Sequence, residues 1–168
     1  DPADNSGILK YIRLEYAGYK FTTEKECNGF TFYGVGNGTT LEYLEAYKGS
    51  DDGFEWFGGT VDCKYLVAYK GWDDEFDTDN GFSGNVEYCL SVRDPRIADT
   101  SQSNGFESDN NASGAETTPF TSAHFSHVTF IGPKTARNSN FRNTSDYITA
   151  GDLFPDNGSK LGLFQAAM

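Results

Sequence analysis

The apolar positions of this chain recur in blocks of six. Leu9-Lys-Tyr-Ile-Arg-Leu, Leu41-Glu-Tyr-Leu-Glu-Ala, Cys63-Lys-Tyr-Leu-Val-Ala, Val86-Glu-Tyr-Cys-Leu-Ser and Phe125-Ser-His-Val-Thr-Phe all read apolar, polar, ring, apolar, variable, apolar or small. The blocks begin at 9, 41, 63, 86 and 125, so successive steps are 32, 22, 23 and 39 residues. Short steps describe bare coils, and long ones describe coils carrying loops. A second row follows the first. Phe54-Glu-Trp-Phe-Gly and Phe76-Asp-Thr-Asp-Asn each begin 13 residues after a first-row block, while Phe30-Thr-Phe-Tyr-Gly and Phe106-Glu-Ser-Asp-Asn fill the same slot after 21 and 20.

A fixed period outranks other sequence signals, because each unit buries its apolar face only by stacking on its neighbours. Helical units would need apolar spacing near 3.6 over about ten or more residues. These blocks are shorter, rich in Tyr, Phe and Val, and bounded by Gly, Asn and Asp, which is the strand signature. The expected fold is all-β: a right-handed parallel β-helix, a solenoid of about five to six coils. Like residues then lie above one another about 4.8 Å apart. The ring column is Tyr11, Tyr43, Tyr65, Tyr88 and His127, beside an apolar column of Ile12, Leu44, Leu66, Cys89 and Val128. Phe30, Phe54, Phe76 and Phe106 form an aromatic column in the second row. All these rings are expected to pack in the core or at corners.

A sixth block is expected at Leu161-Gly-Leu-Phe-Gln-Ala, close to the last residue, and Asp1-Pro-Ala-Asp-Asn leads directly into the first. Solenoids need polar caps on terminal coils. The ends are therefore expected to be uncapped, with residues 1–168 forming one β-helix domain of a longer protein whose further coils it packs against. Residues 94–122 read as a long polar loop excursion.

Mean hydropathy is −0.57, and no apolar run approaches a membrane span, so direct membrane insertion is not expected. The net charge of −12 and pI of about 4.4 argue against nucleic acid, which needs a basic face. Cations, glycans or other cell-surface proteins remain as partners. Cys27, Cys63 and Cys89 are read as small buried or half-buried residues, without a disulfide as the default. No Cys/His spacing suggests zinc, and His127 takes a structural slot.

Chemistry concentrates around the second row. Superposing its blocks stacks Asp51 on Asp73, and Asp52 on Asp74 with Asn28 and Asn104 in the same column. Glu55, Asp77 and Glu107 align, as do Asp79 and Asp109. If the Phe side chains point inward, strand alternation sends Glu55, Asp77 and Glu107 outward. Two carboxylates roughly 5 Å apart repel by about 3 kcal/mol at an effective dielectric of about 20. Three readings stay open: Asp and Asn ladders that hydrogen-bond corner backbone, a Ca²⁺ site using Asp51, Asp52, Glu55, Asp73, Asp74, Asp77, Asp79 and Asp109, or catalytic carboxylates drawn from Asp52, Asp74, Asp77 and Glu107. Tyr33, Phe57 and Trp72 are candidate ligand contacts, since a ring beside carboxylates suits a sugar. Asn37, Asn111, Asn143 and Asn157 begin N-glycosylation sequons.

Ser6-Gly-Ile-Leu-Lys-Tyr-Ile-Arg-Leu-Glu-Tyr-Ala-Gly, Gly34-Val-Gly-Asn-Gly-Thr-Thr, Asp51-Asp-Gly-Phe-Glu-Trp-Phe-Gly-Gly, Asp73-Asp-Glu-Phe-Asp-Thr-Asp-Asn-Gly and Ser103-Asn-Gly-Phe-Glu-Ser-Asp-Asn resemble a family of secreted or surface-anchored proteins of Bacteroidota. The resemblance covers residues 6–133. It implies a right-handed β-helix exposed at the cell surface or outer membrane, and it implies no particular activity. Asp51-Asp52 and Asp73-Asp74 also look locally similar to pectin-degrading β-helix hydrolases. The Asn-Thr-Asp, Gly-His-Gly and Arg-Ile-Lys motifs of those enzymes are absent from this sequence. Lyase chemistry would need a base near the acids, and only Arg93 and Arg96 are close in sequence. The expected function is a surface or secreted module for glycan binding, adhesion or scaffolding, stabilised by Ca²⁺. The alternative is a polysaccharide hydrolase or lyase.

Overall fold

The computed structural model describes residues 1–19, 21–22, 27–94, 99 and 103–132, together with the backbone of 164–166. The strands are β1 (Ile8–Glu15), β2 (Phe30–Tyr33), β3 (Thr40–Tyr47), β4 (Phe54–Phe57), β5 (Cys63–Tyr69), β6 (Phe76–Asp79), β7 (Asn85–Val92), β8 (Phe106–Ser108), β9 (His124–Ile131) and β10 (Phe164–Ala166). They fall alternately into two five-stranded sheets, ordered β1-β3-β5-β7-β9 and β10-β8-β6-β4-β2. Every pairing is parallel, because each strand meets its counterpart one coil later. The molecule is a right-handed parallel β-helix.

The sequence repeat is the hydrogen-bonding register. Leu41 faces Cys63 and Cys63 faces Val86 in the first sheet; Phe30, Phe54, Phe76 and Phe106 are successive partners in the second. Leu41, Leu44, Cys63, Leu66, Val86 and Cys89 meet Phe54, Trp56 and Phe76 in a core closed at one corner by Val61 and Phe82. Each fully buried Leu or Phe contributes about 1.5–3 kcal/mol.

The ring column departs from expectation. Tyr11, Tyr43, Tyr65, Tyr88 and His127 have φ of 57°, 56°, 60°, 59° and 55°. A left-handed residue inserted in each strand turns two consecutive side chains outward, as a bulge does. Leu41, Leu44 and Ala46 can then all point inward, while Glu42 and Tyr43 face out. The rings therefore lie outside the core, where Tyr11 is 77 % exposed and Tyr43, Tyr65 and Tyr88 are 39 %, 40 % and 44 % exposed. They form one continuous stack, with centroids 4.6, 4.5, 5.2 and 4.6 Å apart from Tyr11 to His127. Stacking worth about 0.5–1.5 kcal/mol per pair offsets part of a backbone strain of about 1–3 kcal/mol per residue.

Two further expectations change, the first at β10 and the second at Cys27. β10 pairs with β8 through Phe164 and Phe106, so this segment extends the second-row Phe column instead of repeating the first-row block. Leu161, Arg96, Asn143 and Asn157 lie outside the described residues. Cys63 and Cys89 are buried free thiols, whereas Cys27 is exposed. Between β8 and β9, the Asn111 side chain is consumed by its own turn, accepting from the backbone N–H of Ala115 at 2.9 Å and donating to the carbonyl of Ala115 at 2.6 Å.

Candidate functional site

The corner that leads into the second sheet is cross-linked from coil to coil. Asp52 Oδ1 accepts the backbone N–H of Asp74 at 2.9 Å, and Asp74 Oδ1 accepts that of Asn104. The Asn28 amide donates to Thr31 Oγ1 at 3.1 Å and also to Glu55 Oε2. Backbone bonds run in parallel, from Gly29 N to Asp52 O at 2.7 Å, Gly53 N to Asp74 O at 2.8 Å and Glu75 N to Asn104 O at 3.0 Å. Asp52 and Asp74 are thus corner carboxylates in a ladder, buried to 9 % and 2 % exposure. Short Asp and Asn side chains suit this position because they reach neighbouring backbone without leaving the turn.

Beyond the corner, alternation turns the Phe column and Trp56 inward and Glu55, Asp77 and Glu107 outward, in register across β4, β6 and β8. Two groups of carboxylates converge. Asp51, Asp52 and Asp73 bring oxygens within 4.8 Å of one another, and so do Asp52, Glu55 and Asp77. Asp52 belongs to both. Asp74 is drawn away from them to Glu107, with which it shares a hydrogen bond. Asp79 and Asp109 stand at the far end of the strands, where Asp79 accepts from the Asn80 side chain at 3.0 Å.

Burial, then mutual repulsion, pushes these acids upward. Glu55 rises to about 9 through burial and the Asp77, Asp51 and Asp79 charges. Asp77 rises to about 7 through burial and the Glu107, Asp79 and Asp109 charges, opposed by its bond to the Thr78 backbone. Asp52 lies well above the ordinary carboxylate range through burial and the Asp73, Asp74, Asp77 and Asp51 charges. Asp74 is raised far by burial and its bond to Glu107. Asp79 and Asp109 rise less, again through burial first. Among the described residues, no Lys or Arg forms an ion pair with Glu55, Asp77, Asp79 or Asp109.

The exposed rings flank the acids. Glu55 and Phe57 share the outward side of β4, and Phe57 stacks on Tyr33 with centroids 4.8 Å apart and planes within 7°. Tyr33 is 73 % exposed. Trp72 is half-buried, and its carbonyl accepts from Ser103 Oγ at 2.6 Å and from the Arg93 guanidinium at 3.2 Å.

Arg93 is not a free base. It is 8 % exposed, donates to Glu75 Oε1 and to the Asp73 carbonyl, both at 2.5 Å, and closes the corner around a buried Glu75. Burial raises the Glu75 carboxyl while Arg93 pulls it down. Sequence reasoning passed over this pair. The available signal was the column Gly29, Gly53, Glu75 and Gly105: a Cβ on Gly53 would meet the Glu75 carbonyl at 2.9 Å, so a charged residue among these glycines demands a partner.

An all-oxygen donor set matches a hard cation such as Ca²⁺, which takes carboxylates and backbone oxygens, and lacks the nitrogen and sulfur ligands typical of zinc. For glycoside hydrolysis, the 4.8 Å grouping of Asp52, Glu55 and Asp77 is tighter than the roughly 6.5–9.5 Å an inverting pair requires.

Fold and site together define a β-helix that gathers carboxylates and stacked rings on one outward face. The chain belongs to the pectate-lyase-like β-helix domain family, whose model matches residues 1–151. Comparison with curated proteins and with solved structures returned no match. No helix among the described residues is long and apolar enough to cross a membrane.

Proposed function

We propose that this chain is a secreted or surface-displayed β-helix module that binds polysaccharide, with Ca²⁺ held by Asp51, Asp52, Glu55, Asp73 and Asp77. The observation that carries the reading is Asp52, shared by two carboxylate groups whose oxygens lie within 4.8 Å. Without a cation these groups hold protons against their nature, since both Glu55 and Asp77 are raised. A bound cation replaces those protons and gives acidic or hydroxyl-rich sugars an ion to ligate. The Tyr33–Phe57 stack offers an apolar edge on the same outward face. The family's description as pectate-lyase-like fits a polysaccharide partner.

The test is thermal melting of the chain in EDTA and in Ca²⁺, followed by glycan-array binding in both. Ca²⁺ is expected to raise the midpoint and to be required for glycan retention, and Asp52→Asn is expected to lose both effects. An unchanged midpoint rejects the calcium site.

One observation favours a second reading. Glu55 at about 9 and Asp77 at about 7 are acids able to donate a proton near neutral pH. A polysaccharide hydrolase would use Asp77 as acid with Glu107, its neighbour in register, as partner carboxylate, because burial keeps Asp52 and Asp74 protonated. A lyase lacks its base among the described residues, because Arg93 is committed to Glu75. Reducing-sugar release from a bound glycan, lost in Asp77→Asn, would establish the hydrolase. Binding without release supports the module.

A further inference from the structure

We infer that the outward face of the first sheet is a docking surface for a second copy of this chain, related by a two-fold axis that runs parallel to the strands over the gap between β3 and β5. The inference does not depend on the acidic face. Two observations lead to it. The first is the exposed ring stack, a stripe of Tyr11, Tyr43, Tyr65 and Tyr88 with exposures from 39 to 77 %. Large contiguous exposed rings mark interaction sites, and Tyr is enriched at interfaces. The second is the column beside it. Lys10, Glu42 and, one coil further on, Lys64 and Glu87 occupy matching positions on β1, β3, β5 and β7. Their charges alternate plus, minus, plus, minus.

That order is complementary to its own reverse. A rotation about an axis along the strands keeps each column facing itself but inverts the order of the coils. β1 then meets β7 of the other copy and β3 meets β5. Lys10 falls opposite Glu87, Glu42 opposite Lys64, and the two remaining contacts are the same pairs repeated. An isologous interface of this kind is what a two-fold dimer requires. The column is neutral in sum, whereas the uncompensated acids lie on the other sheet, so the net charge of −12 does not oppose this approach directly. Within one copy Lys10 already holds Glu42 at 3.0 Å and Lys64 holds Glu87 at 3.0 Å, with side chains 28 to 41 % exposed, leaving donors and acceptors to share across an interface. Four strands about 4.8 Å apart and about 26 Å long cover about 500 Å² per copy. The total of about 1,000 Å² is the threshold for a specific interface, so the dimer is a weak one, with Kd on the order of 10 μM.

Sedimentation equilibrium of the 168-residue chain tests this over about 1–500 μM at low ionic strength. Wild type is expected to pass from monomer to dimer and to shift back toward monomer in high salt. K64E changes the column to plus, minus, minus, minus, and E42K to plus, plus, plus, minus. Each variant clashes with itself at the centre, and each is expected to dimerise at least tenfold more weakly. The two variants match one another at all four positions, so an equimolar mixture is expected to recover wild-type association as a heterodimer. Circular dichroism confirms that both remain folded. Rescue in the mixture cannot come from a pair within one chain. A wild type that stays monomeric throughout overturns the inference. So does a mixture no better than its components, or a monomer whose ring face instead retains soluble oligosaccharide.

Discussion

The two outward faces of this β-helix stack charged side chains at the same spacing and treat the charge in opposite ways. On the first sheet carboxylates meet cations: Glu42 meets Lys10 and Glu87 meets Lys64 one coil away at 3.0 Å, Glu45 meets Arg13 one coil away at 3.3 Å, and Glu15 meets Arg13 within its own strand at 2.6 Å. Arg13 also lies over the Tyr47 ring, 4.1 Å from its centroid. On the second sheet, carboxylate follows carboxylate, from Glu55 to Asp77 to Glu107. Parallel in-register stacking amplifies whatever the repeat contains. Alternating signs give a ladder that is neutral and stable by itself, and like signs give a ladder that needs protons or a cation. The first face is thus complete as a structure, whereas the second stores unfavourable charge that a ligand can relieve.

The strongest way to break this contrast lies at the boundary between the faces, where one second-row acid does have a cation. Glu75 and Arg93 are 2 % and 6 % exposed at their side chains. Arg93→Ala leaves a buried carboxyl alone and is expected to cost about 3–5 kcal/mol, lowering the midpoint by about 10 °C. Because burial already raises the Glu75 carboxyl, acid should soften the loss by protonating it. Melting Arg93→Ala at pH 8 and at pH 5 checks this. A loss of under about 1 kcal/mol, typical of exposed pairs, would show that the pair does not hold the corner.

This pair also marks where the sequence stopped being readable. The block spacing identified the coils, the Phe column and the stacking of Glu55 on Asp77, because parallel register turns sequence period directly into contact. It did not reveal which way the tyrosines point. Alternation groups Tyr43 with Leu41, yet Leu41, Leu44 and Ala46 all face inward. Apolar positions spaced three and then two apart cannot share one side of a regular strand, and that mismatch was the available sign of a bulge. The carboxylate columns were legible, but the division of labour within them was not. Asp52 and Asp74 share a column and each accepts the backbone N–H of the next coil, yet Asp74 also bonds Glu107 while Asp52 joins Asp51, Asp73, Glu55 and Asp77. Side-chain direction at a corner depends on neighbouring coils, which no single block specifies.

A smaller perturbation tests the stored charge directly. Asp77→Asn removes one member of the Asp52, Glu55 and Asp77 group. In EDTA at pH 8 the variant is expected to melt about 3 °C above wild type, because repulsion and the cost of a buried charge are both lessened. In Ca²⁺ it should lose most of the cation-induced rise. A variant that melts below wild type in EDTA would mean that Asp77 is held by favourable contacts and not by a strained balance.

The pH dependence follows from the same groups. Glu55 and Asp77 are raised to about 9 and about 7. Between the ordinary carboxylate range and those values the folded chain binds more protons than the unfolded one, so stability falls as pH rises. Stability from these groups is fully present only below the unfolded values of 3.8 and 4.5, and is lost progressively as pH climbs through 7 toward 9. In EDTA the midpoint is expected to fall steadily across that window. Ca²⁺ should flatten the slope by occupying the deprotonated form. A midpoint that rises with pH in EDTA would reverse the assignment.

The smallest expected effect belongs to the first face. Lys64→Glu removes the bond to Glu87 and places two carboxylates beside each other, with Glu42 one coil below. The side chains are 41 % and 29 % exposed, and water screens such pairs so that they contribute little to stability. Measured on dilute, monomeric protein, the midpoint is therefore expected to shift by no more than about 2 °C, with the difference fading in high salt. The same substitution should nonetheless weaken self-association at least tenfold. Large association change with little monomer change would assign the alternating column to recognition between copies. A large monomer loss would instead make the first face as dependent on its charges as the second, and the contrast between the two sheets would fail.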